Sequence, residues 1–505
     1  MKRRLVKNAI ANLCRGGTAA VIALVLPAIL VRHMTATNYA VWVLVLQVVA
    51  YIGYLDFGLQ TAIGRYVAFA SEKGDATWRD GIFSTAFAAL AVASFLGILV
   101  VVIVLLAVHR IFPSVPPAFV APMRICMMIV GISTALGLPA SAWNGVFVGL
   151  QRYEVVAITV GAGKLLTAAG LAISAFTGKS LFFMAMTVAA ANLITYIAQF
   201  VMMRSLAPEV KFRRELITRK MAGELWGYCA SLSVWSFAML LVSGVDILLV
   251  GRFQFNAVTP YSVSATLVAF IAGVQNAIFG VIMPHAAGLS AREDSASLGG
   301  LLIAATRVGT LLLLLTGLPL IVFAAPLIKL WIGSQFASEG GKILIVLIVA
   351  NVVRLTGAPY ASILLGTGQQ KLIVVSPLME GVSNFIASIL LGMKFGAIGV
   401  AEGTLIGAFV GVGANVFYNV ARTKECISVS RWDYLRSIAV PGLCAAPVCC
   451  ALLSQKYIRP SGYAVAALML ALSCCLCMAG IFRSVAGRSA SDVSARLRRA
   501  VRGEA

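Results

Sequence analysis

Fourteen apolar stretches, each long enough to cross a lipid bilayer, dominate this 505-residue sequence. A hydrocarbon core takes about 20 helical residues to span, and a backbone inside it must satisfy its own hydrogen bonds. The stretches therefore predict an all-α polytopic membrane protein with 14 transmembrane helices. The predicted spans are residues 9–31, 38–58, 81–108, 118–148, 154–176, 181–203, 223–250, 260–283, 300–325, 341–365, 371–393, 396–420, 437–455 and 461–482.

Composition excludes an ordinary soluble domain. Hydrophobic residues make up 60% of the chain and charged residues 11%, whereas soluble domains carry about 25% charged residues. A net charge of +22 would suggest a nucleic-acid partner in a soluble protein. Here most of that charge lies in short loops between the predicted spans, so the lipid bilayer is the predicted partner and nucleic acid is not.

Basic residues fall unequally on the two predicted sides of the membrane. With the N-terminus counted as cytoplasmic, the inside loops and tails hold 28 Lys and Arg residues and the outside loops hold 9. Cytoplasmic loops carry such an excess in membrane proteins. The run from Gly16 to Val31 lacks a signal-peptide cleavage site, so it predicts a retained first helix. Both termini are therefore predicted to be cytoplasmic.

An internal repeat divides the chain. The loop from Arg65 to Gly81 echoes the loop from Pro284 to Gly300, at an offset of 219 residues. The repeat predicts two six-helix lobes around a central cavity, both entering the membrane in the same direction. The predicted parts are an N-terminal lobe at 1–203, a cytoplasmic linker at 204–222, a C-terminal lobe at 223–420, two additional helices at 421–482 and a basic cytoplasmic tail at 483–505.

Cations inside the predicted spans are the candidates for substrate binding. A charge at the bilayer centre costs about 2.5–3.5 kcal/mol on insertion scales, unless the side chain reaches the interface. Lys164 and Arg354 lie deep in their spans, which predicts either a wet substrate-binding cavity or a structural pair with an acid. Arg124 lies near an outer helix end, where reaching the interface is favoured. Arg15 and Arg307 lie one or two turns inside cytoplasmic ends and are further candidates for a cationic cavity.

Three carboxylates are candidates for ion coupling. Glu380 lies inside the eleventh predicted span, where it could pair with Lys164 or Arg354 across an interface between lobes. Asp56 and Asp246 lie nearer helix ends, where a capping role is the alternative. A carrier driven by H⁺ or Na⁺ needs at least one such group in the membrane. No other cofactor is predicted.

Signals of enzymatic chemistry are missing from the sequence. His33, His109 and His285 are far apart, and no P-loop, HExxH or GxSxG pattern occurs. The ten cysteines form no spaced framework and have no His or acidic neighbours of the kind that hold metals. The sequence therefore predicts neither an enzyme nor a metal site.

Two short runs resemble a known transporter family. Residues Tyr54 to Val67 (YLDFGLQTAIGRYV) resemble the "DFGL…R-aromatic" run in the second helix of Wzx-type bacterial polysaccharide flippases. Residues Phe147 to Tyr153 (FVGLQRY) resemble the G-x-Q-R/K turn after their fourth helix. These flippases belong to the multidrug/oligosaccharidyl-lipid/polysaccharide exporter superfamily, whose fold is two six-helix lobes. Fourteen spans are usual in its polysaccharide branch.

The resemblance implies a flippase of the bacterial inner membrane. Such proteins move an undecaprenyl-diphosphate-linked oligosaccharide to the outer leaflet by alternating access, for exopolysaccharide, capsule or O-antigen synthesis. A polysaccharide polymerase and chain-length machinery are the implied partners, and a cationic cavity would pair with the diphosphate.

Two other functions are also considered for this sequence. A cation-coupled multidrug exporter of the same superfamily would carry an acid in its first helix, which residues 9–31 lack. A membrane-embedded glycan polymerase or ligase would need a longer outside loop than the longest one here, residues 326–340.

Overall fold

A computed structural model describes residues 20–369, 374–454 and 462–501, and every regular element in these ranges is a helix. The all-α class is therefore confirmed. In chain order the α-helices are α1 Ala20–His33, α2 Ala36–Ala50, α3 Leu59–Lys73, α4 Ala76–Ile111, α5 Pro117–Ala135, α6 Leu138–Gly149, α7 Tyr153–Phe176, α8 Leu181–Leu206, α9 Arg219–Ser243, α10 Asp246–Phe253, α11 Val258–Phe279, α12 Ile282–Ser290, α13 Ser295–Val322, α14 Ala324–Ile332, α15 Ala337–Leu355, α16 Ala358–Gly366, α17 Val375–Ala414, α18 Val420–Arg422, α19 Arg431–Gly442, α20 Ala446–Ser454 and α21 Gly462–Val501.

The chain folds into two compact units. Unit 1 runs to Phe270 and also includes two short segments, Trp331–Gly333 and Ile389–Val400. Unit 2 comprises the remaining described residues from Ile271 onward. The predicted lobes at 1–203 and 223–420, with a linker at 204–222, stay a prediction.

Twelve helical stretches among the described residues are long and apolar enough to cross a membrane. The protein is therefore a multi-pass membrane protein, but fourteen spans are not confirmed. Two of the predicted spans are not counted separately. The first, residues 9–31, lies only partly within the described residues, as Ala20–His33. The stretch Val375–Arg422 contains two predicted spans, because the chain folds back at Gly396, where φ is 62° and ψ is −138°. A positive φ of this kind favours glycine.

The second span is broken in its middle. A 3₁₀ turn, Tyr51–Asp56, follows α2, and the next two residues, Phe57 and Gly58, both adopt left-handed conformations with φ of 48° and 76°. A non-glycine residue with positive φ is uncommon. The break lies in the run that resembles the flippase family, and it places the Asp56 carboxylate at the end of the 3₁₀ turn.

Two loops at the predicted repeat offset share one backbone conformation. Gly74 and Glu293, 219 residues apart, both have positive φ, at 70° and 56°. The next residues, Asp75 and Asp294, cap α4 and α13 by accepting backbone N–H groups three residues on, at 2.9 and 2.8 Å. An aspartate at this position satisfies an N–H that the helix itself leaves unpaired. The two loops of the predicted repeat therefore adopt the same turn and the same helix cap.

The linker after α8 is held against α4 by a buried acid. Asp80 is 2% exposed and forms ion pairs with Arg79, at 3.2 Å, and with Arg213, at 3.4 Å. Its Oδ1 also accepts the backbone N–H of Lys211. The nearby Ser84 hydroxyl accepts the Arg213 backbone N–H at 2.8 Å. The Asp80 carboxylate therefore pairs with Arg79 on α4 and with Arg213 in the linker, and this fixes the path of the linker.

Replacing Asp80 by Asn should loosen the linker. The substitution keeps the side-chain shape but removes the negative charge from two arginines, and hydrogen bonds to charged groups contribute about 1.5–3 kcal/mol each. We expect trypsin to cleave at Arg213 or Arg214 about tenfold faster, since cleavage follows the population of the opened segment. The matched control is Glu215→Gln, an exposed linker residue. Equal cleavage rates in the two variants would contradict the assignment.

Candidate functional site

Unit 1 contains an open cavity of about 550 Å³ between α1, α6, α7 and α8. Helix α1 contributes an apolar wall that includes Ile22 and Leu26. The other helices contribute most of the polar groups. The polar side chains that line the cavity include Ser141, Asn144, Lys164, Asn192, Tyr196 and Gln199.

Two glycines let α8 approach its neighbours at this cavity. A Cβ atom at Gly137, in the junction between α5 and α6, would overlap the hydroxyl of Tyr196. A Cβ atom at Gly163 on α7 would overlap the hydroxyl of Thr195. Small residues allow this approach of transmembrane helices, whose association depends on close packing. The wall that carries Lys164 is therefore built directly against the wall that carries Tyr196.

Lys164 lies at this cavity, one of the two placements that its depth in the predicted span left open. Its side chain is exposed to the open space, and no described carboxylate lies within ion-pair distance of its ammonium group. Such a cation is available to an anion that enters the cavity. Its role in substrate binding stays a prediction.

Asp56 is connected to the same cavity through one hydrogen bond. The Ser141 hydroxyl, which lines the cavity, donates to Asp56 Oδ1 at 3.0 Å. The backbone N–H of Gln60 donates to the other carboxylate oxygen at 3.4 Å. The half-buried carboxylate therefore lies behind the cavity wall, one side chain away from the lumen. Coupling through Asp56 stays a prediction.

The two runs that resemble the flippase family pack against each other. A Cβ atom at Gly64 on α3 would lie 3.2 Å from the side chain of Val148 on α6. A Cβ atom at Gly149 would lie 2.8 Å from the carbonyl oxygen of Gly64. The two helices thus meet almost backbone to backbone, which gives these glycines a packing role.

In unit 2, Arg354 pairs with Glu380. The Arg354 Nε–H donates to Glu380 Oε1, and the two side chains are 22% and 7% exposed. Of the two pairs that the sequence suggested for Glu380, the structure forms this one. Both residues lie in unit 2, so the expectation of a pair across two lobes is wrong for Arg354 and Glu380.

A stripe of glycines buries the acid of this pair. After the turn at Gly396, the second half of α17 runs antiparallel to the first half. Its glycines Gly403, Gly407 and Gly411 recur every four residues and face the first half. A Cβ atom at Gly411 would lie 2.7 Å from Glu380 Oε2. Because glycines leave room there, the carboxylate fits between the two halves and reaches Arg354.

Arg354 lies next to a break in the helical hydrogen bonding between α15 and α16. It is in the last turn of α15, just before the break at Thr356 and Gly357 that leads into α16. A Cβ atom at Gly357 would lie 2.7 Å from the Asn415 side-chain nitrogen, in the π-helical segment Asn415–Asn419. Single π-helical turns occur frequently at functional sites. The buried Nη2 atom of Arg354 has no hydrogen-bond partner among the described residues.

The remaining predicted site residues are dispersed. Arg124 on α5 and Arg307 on α13 are exposed, and neither lines the unit 1 cavity. Asp246 is buried in the first turn of α10, where a negative charge complements the helix dipole. Arg15 lies outside the described residues. Binding or coupling roles for these four residues stay predictions.

Two amides that the sequence did not single out belong to the cavity. Asn144 on α6 and Gln199 on α8 are 8% and 2% exposed, and both line it. Nothing in their spacing joins them, because they are 55 residues apart on different helices. The four-residue spacing of the glycines at 403, 407 and 411, by contrast, indicates a closely packed helix pair from the sequence alone.

The arrangement of helices is that of a transporter of the multidrug/oligosaccharidyl-lipid/polysaccharide exporter (MOP) superfamily. The chain is similar to lipid II flippase MurJ in an inward closed conformation, with a TM-score of 0.70 and 13% identity over 95% of this chain and 99% of that one. It is also similar to an inward-facing multidrug-resistance MATE transporter, with a TM-score of 0.65 and 14% identity over 80% and 94% of the chains. A MOP transporter from Pyrococcus furiosus gives a TM-score of 0.55 and 14% identity over 83% and 95%. At these identities the likeness establishes the fold alone.

The family is established by sequence. The profile of the polysaccharide biosynthesis protein family matches residues 5–289, more than half of the chain, and the chain belongs to that family. The resemblance stated from residues 54–67 and 147–153 is confirmed. The chain combines this family's sequence profile with the fold of the MurJ and MATE transporters. No curated relative matches its sequence.

Proposed function

We propose that this protein is a flippase for an undecaprenyl-diphosphate-linked oligosaccharide. It moves this lipid from the cytoplasmic to the outer leaflet of a bacterial inner membrane by alternating access, for exopolysaccharide, capsule or O-antigen synthesis. The observation that carries the proposal is Lys164, a cation without a described carboxylate partner at a cavity of a polysaccharide biosynthesis family member. Placing a cation inside the membrane costs less free energy when an anionic headgroup pairs with it.

Arg354, the second cation deep in a predicted span, is a further proposed binding residue for the anionic headgroup. The proposal includes fourteen spans with both termini cytoplasmic, as the positive-inside asymmetry favours. A polysaccharide polymerase and chain-length machinery would receive the product. The carboxylates Asp56, Glu380 and Asp246 are the proposed routes of coupling to H⁺ or Na⁺.

A cation-coupled multidrug exporter is the second candidate, because MATE transporters of that kind share the fold. The two candidates differ in the charge they need. A cationic drug would meet Lys164 at the unit 1 cavity, and like charges repel there. An anionic lipid headgroup therefore suits this cavity better.

Deletion of the gene should separate the candidates. We expect lipid-linked oligosaccharide to accumulate in the cytoplasmic leaflet and surface polysaccharide to fall, as measured by lipid extraction and mass spectrometry with a sidedness assay on intact vesicles. The control is the deletion strain carrying the wild-type gene. Unchanged lipid-linked glycan together with altered drug resistance would contradict the flippase and support drug export.

A further inference from the structure

Four aromatic side chains of unit 1 lie next to one another near the point where α8 passes into the linker. Trp143 on α6 lies between Phe87 on α4 and Phe200 on α8, at ring-centre distances of 6.2 and 5.5 Å. Phe212 of the linker lies 5.7 Å from the centre of the Phe87 ring. Phe200 and Phe212 are 44% and 52% exposed, so one side of the cluster is open to its surroundings. We call these four residues the aromatic patch.

Positive charges lie beside the aromatic patch. Arg204 follows Phe200 by four residues on the same face of α8, and its guanidinium carbon is 5.4 Å from the centre of the Phe200 ring. Lys211 directly precedes Phe212 in the linker. Both cations are exposed, and no described carboxylate lies within ion-pair distance of either. They are therefore available to an anion from outside the protein.

The location of these residues indicates a lipid as the source of that anion. The linker at 204–222 carries six Lys and Arg residues against two Glu residues. On the predicted topology it is cytoplasmic, and about four to eight basic residues beside the cytoplasmic end of a transmembrane helix attract anionic lipid headgroups. Aromatic side chains are enriched at the same depth, where their rings contact both headgroups and hydrocarbon. A soluble anion would pair with the cations but would leave the exposed rings uncovered.

We propose that the aromatic patch, Arg204 and Lys211 form a binding site for an anionic phospholipid of the cytoplasmic leaflet. A fatty-acyl chain lies against the rings of Phe200 and Phe212, and the phosphate pairs with the two cations. The bound lipid thereby joins α8 to the linker, which Asp80 also holds. The site is independent of the proposed flippase function, because its lipid is a resident of the membrane and not the transported molecule.

Titration of the full-length protein with lipid tests the site. The protein is purified in a non-ionic detergent, and its unfolding temperature is measured against increasing phosphatidylglycerol and, in parallel, phosphatidylcholine. A ligand that binds only the folded protein raises this temperature as its concentration rises. We expect phosphatidylglycerol to raise it more than phosphatidylcholine does, and native mass spectrometry to show phosphatidylglycerol retained on the protein.

Removing either cation should weaken the binding of phosphatidylglycerol. A basic residue near an anionic lipid surface contributes about fivefold to the binding constant. Arg204→Gln and Lys211→Gln should each weaken binding by about that factor, and the double variant by about 25-fold, with the response to phosphatidylcholine unchanged. Because both side chains are exposed, the unfolding temperature without lipid should stay at the wild-type value.

Two controls match the variants of the site. Arg422→Gln changes an exposed arginine 4.3 Å from the centre of the Tyr418 ring in unit 2, and it should keep the wild-type affinity. Within the aromatic patch, Phe212→Ser should weaken phosphatidylglycerol binding about two- to fivefold through the lost apolar contact. Phe69→Ser, at a ring that is 51% exposed and whose centre is 4.4 Å from Lys73 Nζ, should keep it.

Several results would overturn the site. Wild-type affinity of the double cation variant for phosphatidylglycerol would remove both cations from it. Equal weakening by Arg204→Gln and Arg422→Gln would assign the effect to diffuse charge. Displacement of phosphatidylglycerol by lipid-linked glycan extracted from a deletion strain would assign the aromatic patch to the transported lipid. None of these results changes the accumulation of glycan in the deletion strain, so the flippase function is tested separately.

Discussion

Replacing Arg354 by Met should destabilise the protein by about 3–5 kcal/mol, because Glu380 would then be a buried carboxylate without its cation. Glu380→Met should cost a similar amount, since it leaves the Arg354 guanidinium in the same position unpaired. The free energy of unfolding can be measured by denaturant titration of the purified protein in mixed micelles. The matched control is Arg422→Met, at an exposed arginine stacked 4.3 Å from the centre of the Tyr418 ring, where we expect a loss of about 0.5–1 kcal/mol.

The double variant Arg354→Met/Glu380→Met separates stability from transport. Replacing a whole buried ion pair by apolar side chains of similar size is often neutral or stabilising. We expect the double variant to recover most of the lost stability but to remain defective in export, measured as accumulated lipid-linked glycan per inserted protein. Wild-type export by the stable double variant would show that the pair is structural and would exclude Arg354 from substrate binding.

Replacing Lys164 by Met should reduce export about ten- to hundredfold. A hydrogen bond to a charged group contributes about 1.5–3 kcal/mol, and every 1.4 kcal/mol is tenfold in binding. Because the Lys164 side chain is exposed to the cavity, we expect little change in stability, within about 0.5 kcal/mol. Lys164→Arg keeps the charge and should retain more export than Lys164→Met.

The control for Lys164 is Lys179, an exposed lysine just beyond the end of the same helix α7, 5.8 Å from the centre of the Phe183 ring. Lys179→Met removes the same charge away from the cavity and should leave export near the wild-type level. Equal export by the Lys164 and Lys179 variants, at equal amounts of inserted protein, would remove Lys164 from the proposed site.

Depth in the predicted spans singled out individual cations but did not identify their partners. The insertion cost singled out Lys164 and Arg354, and the structure places one at a cavity and the other in an ion pair. Glu380 was recognised for the same reason. The sequence left its choice between Lys164 and Arg354 open, because the spacing of residues on separate helices does not specify which helices touch.

The turn at Gly396 shows a similar limit. The apolar runs on either side of this residue predicted two spans, and the structure folds the chain back there. The resulting contact of Gly411 with Glu380 depends on antiparallel pairing of two helix faces. Recurrent glycines indicate that such a face exists, but they do not identify the side chain that it receives.

From the sequence alone, this chain is predicted to be a multi-pass helical membrane protein with cations deep in its spans. Those conclusions follow from hydrophobicity and charge, because each helix must by itself be apolar enough to lie in the bilayer. Which side chains meet depends on how the helices pack in the folded protein. Asn144 and Gln199 share a cavity, and Arg354 meets Glu380, because close packing through glycines brings particular helix faces together, and that pairing is a property of whole surfaces.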